Sequence, residues 1–338
     1  MNLNPSSFRY TFGGLDNADG VGLSNHESEI WFTDLRIAFP DDGFAIAAVE
    51  RSDSEISPTC TATESDIRIN TKYRLSRAPV GTNKIQYNLL AKTELFEYGG
   101  SNENLTSTVM HEMGHSAGLE HEGDEMNLMG GDNLIVVNGS AIRPYIGEDS
   151  AGGLLAIYGA SATPNEDLSV SHWWRDAQKA DGGGSFYSVH HRTKIFDAPS
   201  GGAELPKECP YSKPDANGPP ISACPEPVYK VNKGQTVYLE LTYENAGTTT
   251  PLMATVNYYL SLDSYIDLAA ANILLKTSSL SFKRDNDPST FRTALVIPNT
   301  AAVISGWRYW LGCIVDPLDV IAEKFEGNNA TYVEIKIN

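Results

Sequence analysis

The sequence predicts an α+β domain followed by an all-β, immunoglobulin-like sandwich, and three observations predict it. Residues 1–100 carry short runs of branched and aromatic residues bounded by turn formers, the signature of strands. Residues 102–118 switch to a helical period, and everything beyond about residue 162 alternates with a period of two. At 338 residues the chain exceeds one typical core. We therefore divide it into residues 1–161 and 162–338.

In the first part "FRYTF", "LRIAF", "IAAVE", "DIRIN" and "KIQYNLL" are the strand candidates. "ESEIWFTDLRIAF" is expected to begin as a helix, because Ile30, Trp31, Leu35 and Ile37 do not alternate cleanly. In "NENLTSTVMHEMGHSAG", Leu105, Val109 and Met110 recur at helical spacing, an Asn or Thr caps the start, and Gly118 stands where a left-handed cap would end it. A second helix is expected in "EDSAGGLLAIYG", weakened by its two glycines. The small, polar, proline-bearing "ASATPNEDLS" marks the boundary. Beyond it, "TVYLELTYENAG", "ATVNYYLSLD", "TFRTALVIPN", "GWRYWLGCIVD" and "ATYVEIKI" read as strands of an antiparallel sandwich, with residues 175–226 as an insertion.

A net charge of −18 argues against nucleic acid and anionic membrane surfaces as partners. No apolar run reaches the roughly 20 residues that cross a bilayer, so no membrane insertion is expected. The start, "MNLNPSSFRYTF", lacks the basic end, apolar stretch and cleavage site of an export signal. Of the four cysteines, Cys60, Cys209, Cys224 and Cys313, none forms a CxxC pair. Cys209 and Cys224 bracket "CPYSKPDANGPPISAC", a loop with no means of holding itself, and a disulfide closing about 15 residues would contribute roughly 3 kcal/mol. A Cys209–Cys224 bridge implies an oxidising compartment, so we expect an extracellular or cell-surface protein whose signal has been removed. Whether Cys60 meets Cys313 stays open.

"HEMGHSAGLEH", residues 111–121, holds three of the seven histidines. Positions i and i+4 share a helix face, so His111 and His115 can offer two imidazole nitrogens to one zinc ion at roughly 2.0–2.1 Å. Glu112 falls beside the metal, placed to act as a base on water without ligating. On a straight helix His121 would face the wrong way; Gly118 accepts positive φ, ends the helix and lets the chain swing back. His121 then completes a three-histidine site with an open fourth position, the layout of a catalytic zinc. The alternative is three ordinary histidines, but HExxHxxGxxH arises by chance in only about 10⁻⁵ of such chains.

This extended motif resembles that of the metzincin metalloproteases, and over residues 8–159 the chain is similar to the matrixin-like members. The resemblance implies a methionine in a tight turn beneath the zinc. "DEMNLMGGD" offers Met126 and Met129, and the spacing of Met129 from His121 matches matrixins; the alternative for Met129 is a plain core methionine. "RPYIGEDSAGGLLAIYG" resembles the closing helix, with Tyr158-Gly159 at its end. Glu122 departs from the matrixin pattern, no tyrosine directly follows the Met-turn, Tyr145 would reach the site only through an unusual loop, and the matrixin cysteine switch is missing.

The activity that the resemblance implies is that of a zinc endopeptidase acting on a protein or peptide substrate. Zinc lowers the pKa of its water to about 7, and Glu112 serves as general base. "KIQYNLLA" is the candidate edge strand for an extended substrate, and residues 130–146 the candidate pocket wall. The second domain resembles the CARDB-type sandwich through "DLSVS", "YENAG", "YYLSLDSYID" and "VDPLDVIAEKFEGNNA". Ca²⁺ would suit the acidic turns "LDNADG" and "FPDDG", but no ligand is assigned to it. A monomer is expected. The competing readings are a surface adhesion protein with an inert metzincin domain, and a zinc hydrolase of non-peptide amides.

Overall fold

The computed structural model describes residues 4–11, 13, 28–33, 45–51, 62–70, 75–76, 86–88, 102–103, 105–121, 127–129, 135–139, 141–180, 186–209, 226–269, 271–285 and 288–338. In the first part, β1 (Ile30–Thr33), β2 (Ala45–Arg51) and β3 (Ala62–Asn70) form a sheet in the order β1-β3-β2. The central β3 is parallel to β1 and antiparallel to β2. β4 (Leu75–Ser76), β5 (Gln86–Asn88) and β6 (Asn102–Glu103) make a small parallel sheet. Helix α1 (Leu105–Ser116) packs on β2 and β3. The hairpin of β7 (Ile135–Asn138) and β8 (Ala141–Pro144) leads into α2 (Glu148–Tyr158).

Two expectations for this part are corrected. "IWFT" begins no helix: it is β1, with Ile30 in register with Ile67, and its branched and aromatic side chains follow their strand preference. "FRYTF" makes no strand over its described residues. Instead Phe8 stacks on Tyr158 with ring centroids 4.6 Å apart, and the Tyr10 hydroxyl donates to the Met113 carbonyl on α1. Main-chain bonds Ser7 N–H to Gly159 O and Ser161 N–H to Pro5 O, both 2.8 Å, tie this segment to the end of α2. "LRIAF" and both acidic turns lie outside the described residues.

The rest is all β. β9 (Leu168–Ser171) and β12 (Ile195–Phe196) flank one side of β15 (Thr236–Asn245), and β18 (Ser289–Val296) flanks the other. The facing sheet runs β13-β14-β20-β19-β16-β17: β13 (Lys207–Cys209), β14 (Val228–Val231), β20 (Ala330–Ile337), β19 (Arg308–Val315), β16 (Leu252–Ser261) and β17 (Ile273–Phe282). Between the sheets lie Leu239, Leu241, Val256, Leu311 and Ile335, all at most 1 % exposed. Burying each such side chain contributes roughly 1.5–3 kcal/mol. Cys313 lies in this core as a free thiol, which burial pushes up to about 12. Cys209 ends β13, while Cys60 and Cys224 fall outside the described residues. The expected insertion at 175–226 is narrower than its sequence implied, because β12 and β13 pair within the sandwich sheets. Within this stretch β10 (Trp173–Ala180) and β11 (Phe186–Arg192) form a separate two-stranded sheet.

Strand alternation sends Tyr258 and Val333 into that core and their neighbours Tyr259 and Tyr332 to the opposite face. The β7–β8 hairpin covers this aromatic outer face: Val136, Val137 and Tyr145 pack with Trp173, Tyr259, Ile266 and Tyr332. Asn138 ties its turn to the sandwich by accepting from Ile266 N–H at 2.7 Å and donating to Ile266 O at 2.9 Å. Thr331 Oγ1 donates to Val137 O at 3.1 Å. The two parts therefore share one apolar seam.

Among the carboxyls buried near the seam are Asp167, Glu244 and Glu323. Desolvation pushes them up to about 8, about 8 and about 9, against lowering by Asn328 at Asp167, by Tyr145 and Ser169 at Glu244, and by the Leu168 N–H at Glu323. A folded pKa above the unfolded value of about 4 gives stability that is complete below pH 4 and is lost as pH rises through 8 to 9. Urea denaturation at stepped pH should show unfolding free energy falling between pH 5 and 9, and Glu244→Gln should flatten part of that slope. An identical slope in the variant would remove Glu244 from the effect.

Candidate metal centre

The three histidines of "HEMGHSAGLEH" come together at the end of α1. The helix stops in a turn whose bonds run from Gly118 N–H to His115 O (2.9 Å) and from Leu119 N–H to Gly114 O (3.0 Å), with Gly118 at φ 89°. Both bonds belong to a Schellman cap, whose left-handed residue is best filled by glycine. The reversal returns His121 over α1. His121 Nε2 stands 3.2 Å from His115 Nε2 and 3.2 Å from His111 Nε2. Corners of a tetrahedron around an ion at 2.0–2.1 Å are about 3.3–3.4 Å apart, close to both separations from His121.

Outer partners decide which nitrogen carries the proton. His111 Nδ1 lies 2.7 Å from Leu128 O, and His115 Nδ1 lies 2.8 Å from Leu119 O. A carbonyl can only accept, so each Nδ1 holds its hydrogen, and in the neutral ring each Nε2 then turns a lone pair inward. Burial lowers His111 to about 4, helped by the neighbouring His115 and His121, and lowers His121 as well. Imidazole nitrogens that converge on one point are what a borderline-soft cation needs. Among the described residues, this trio is the one group of His, Cys, Asp and Glu whose ligand atoms all lie within 4.8 Å of one another. Glu112, next to the first ligand, is 8 % exposed.

Met129 lies beneath α1, 1 % exposed, in a cluster with Ala117, Leu128, Ile146, Ala151 and Leu154. Its contact with the helix depends on Gly114, where an added Cβ would collide with Met129 Sδ. The Met129 turn is shaped by Asn127, whose Oδ1 accepts from Met129 N–H at 2.6 Å and from Ser150 Oγ at 3.4 Å. Sequence reasoning passed over Gly114 and Asn127, although both left signals. A glycine inside a helix costs about 1 kcal/mol relative to alanine and points to close packing. An asparagine two residues before a turn's end accepts from the chain ahead.

Other expected participants fall elsewhere. Tyr145 is 5 % exposed and packs inside the seam with Val136, Val137 and Trp173, so it is no candidate ligand. Residues Gln86–Asn88 of the expected edge strand have β4 on one side and β6 on the other, so over this stretch the segment is a central strand. Met126, Glu122 and residues 130–134 lie outside the described residues.

No family model matches the chain, and no curated protein matches it. Among solved structures, the CARDB domain of a Pyrococcus furiosus protein, in complex with di-metal ions, is similar at 16 % identity and TM-score 0.24, over 32 % of this chain and 79 % of that one. The catalytic domain of an LPMO from Listeria monocytogenes is similar at 16 % identity and TM-score 0.20, over 44 % and 75 %. A β-glucosidase from Listeria innocua is similar at 11 % identity and TM-score 0.22, over 45 % and 17 %. Likenesses this slight assign neither family nor activity.

Gly114→Ala should force Met129 aside and lower stability by about 1–3 kcal/mol. Combining it with Met129→Ala tests the contact, since the two losses should sum to more than the double variant shows. Strict additivity in urea denaturation would mean that Gly114 and Met129 do not meet.

Proposed function

We propose that this chain is a zinc-dependent endopeptidase of metzincin, matrixin-like type, followed by a CARDB-type sandwich, and that it works outside the cell or at its surface. The observation that carries the reading is the convergence of His111, His115 and His121 Nε2 with Glu112 on the adjacent helical position. A zinc ion held by those nitrogens would supply Lewis acidity toward the scissile carbonyl and toward water.

The remaining work belongs to the chain. Leu128 O and Leu119 O hold the His111 and His115 rings in one tautomer, so their lone pairs face the site with no rearrangement. Glu112 takes the proton of the attacking water as its oxygen adds to the peptide carbonyl, then passes that proton to the leaving amine. The burial of Glu112 keeps bulk water from competing for it. Met129 packs on Gly114, in the helix that carries the first two histidines. "DLSVS" and "YENAG", which carry the CARDB resemblance, fall in β9 and at the end of β15, where Asn245 Oδ1 accepts from Gly247 N–H at 3.0 Å. No helix among the described residues is long and apolar enough to cross a membrane.

Glu112→Gln preserves size and some hydrogen bonding but accepts no proton. Hydrolysis of a protein substrate should fall by at least about 10²-fold, with zinc content and circular dichroism unchanged. Equal cleavage by both proteins would remove Glu112 from the chemistry. Absence of cleavage by zinc-loaded wild type on a broad peptide library would favour a binding protein with an inert site.

A further inference from the structure

The seam between the two parts reaches the histidine site through a short run of hydrogen bonds. Glu148, the first residue of α2, is 1 % exposed, and its carboxylate accepts main-chain N–H groups from two places in the sandwich. These are Asn245 N–H, to Oε2 at 3.5 Å, and Asp285 N–H, to Oε1. Two residues before Glu148, Ile146 O accepts from Leu128 N–H at 3.1 Å. Two residues after it, Ser150 Oγ reaches Asn127 Oδ1 at 3.4 Å. Both bonds land on the Met129 turn, whose Leu128 O is the outer partner of His111 Nδ1.

We propose that Glu148 is a positioning residue through which the sandwich holds the outer shell of the metal site. The proposal rests on the reading of His111, His115 and His121 as metal ligands. Physically, the carboxylate fixes the 146–150 segment against the end of β15 and against Asp285, just past β17; that segment fixes Leu128; and the Leu128 carbonyl sets the ring angle of His111. The sandwich is then part of the site's construction, and the first part alone would hold metal less tightly.

The test is zinc affinity of the full chain, read by competition with a chelating dye, on wild type, Glu148→Ala, Glu148→Gln, Asn127→Ala and the Glu148→Ala/Asn127→Ala double variant. Loss of an outer-shell partner typically lowers metal affinity 10–100-fold, so Glu148→Ala should lose about tenfold. Glu148→Gln retains one acceptor and should fall between. The double variant should be little worse than the weaker single one, because both changes cut the same path. Asn138→Ala cuts a seam contact off that path and should bind zinc like wild type. Should Glu148→Ala fail to fold, Glu148→Gln and Ser150→Ala carry the same test. Affinity within twofold of wild type in folded Glu148 variants, or additive losses with Asn127→Ala, would overturn the proposal. Folded wild type that takes up no zinc would overturn the metal-site reading itself, and the proposal with it.

Discussion

Two hydrogen bonds, donated by imidazole Nδ1 groups to backbone carbonyls, orient the histidine trio on which the rest of this structure converges. Leu128 O and Leu119 O accept from Nδ1 of His111 and His115 respectively, which turns the other nitrogen of each ring toward His121. Neither carbonyl belongs to the helix that carries the histidines. One lies in the turn that Gly118 opens, the other in the turn that Asn127 shapes. The site is therefore built where three local structures meet, and a conformational change in any of them would be felt as a change in ring orientation.

A sandwich with an aromatic outer face would be a poor free domain, yet Tyr259, Tyr332 and Trp173 gain cover from Val136, Val137 and Tyr145. The same hairpin comes after the Met129 turn and precedes α2, so it covers the sandwich on the way from that turn to the helix. Buried carboxyls near this seam make it sensitive to alkaline conditions, because ionising Asp167, Glu244 or Glu323 places charge where solvent is excluded.

Much of this was legible in the sequence. The sandwich strands announce themselves by period-two alternation, and α1 and α2 by helical spacing, because one-sided burial imposes those periods. Gly118 at the end of α1 was legible for a stereochemical reason, since few other residues tolerate its φ of 89°. "FRYTF" misled because aromatics at alternate positions look like a strand, whereas Phe8 and Tyr10 are spent on contacts with Tyr158 and α1. The β7–β8 hairpin was available in the Asn138-Gly139 pair, a strong turn signal, but nothing local says that its apolar strand covers another sheet. Gly114 and Asn127 act through contacts with residues far from them in the chain or across a turn, and a single sequence does not display such contacts.

Zinc K-edge X-ray absorption on the purified, zinc-loaded protein tests the proposed centre most directly. One zinc per chain is expected, with three imidazole nitrogens and one further light ligand at about 2.0–2.1 Å. A shell containing sulfur, a shell without imidazole scattering, or a folded protein that retains no zinc would contradict the site.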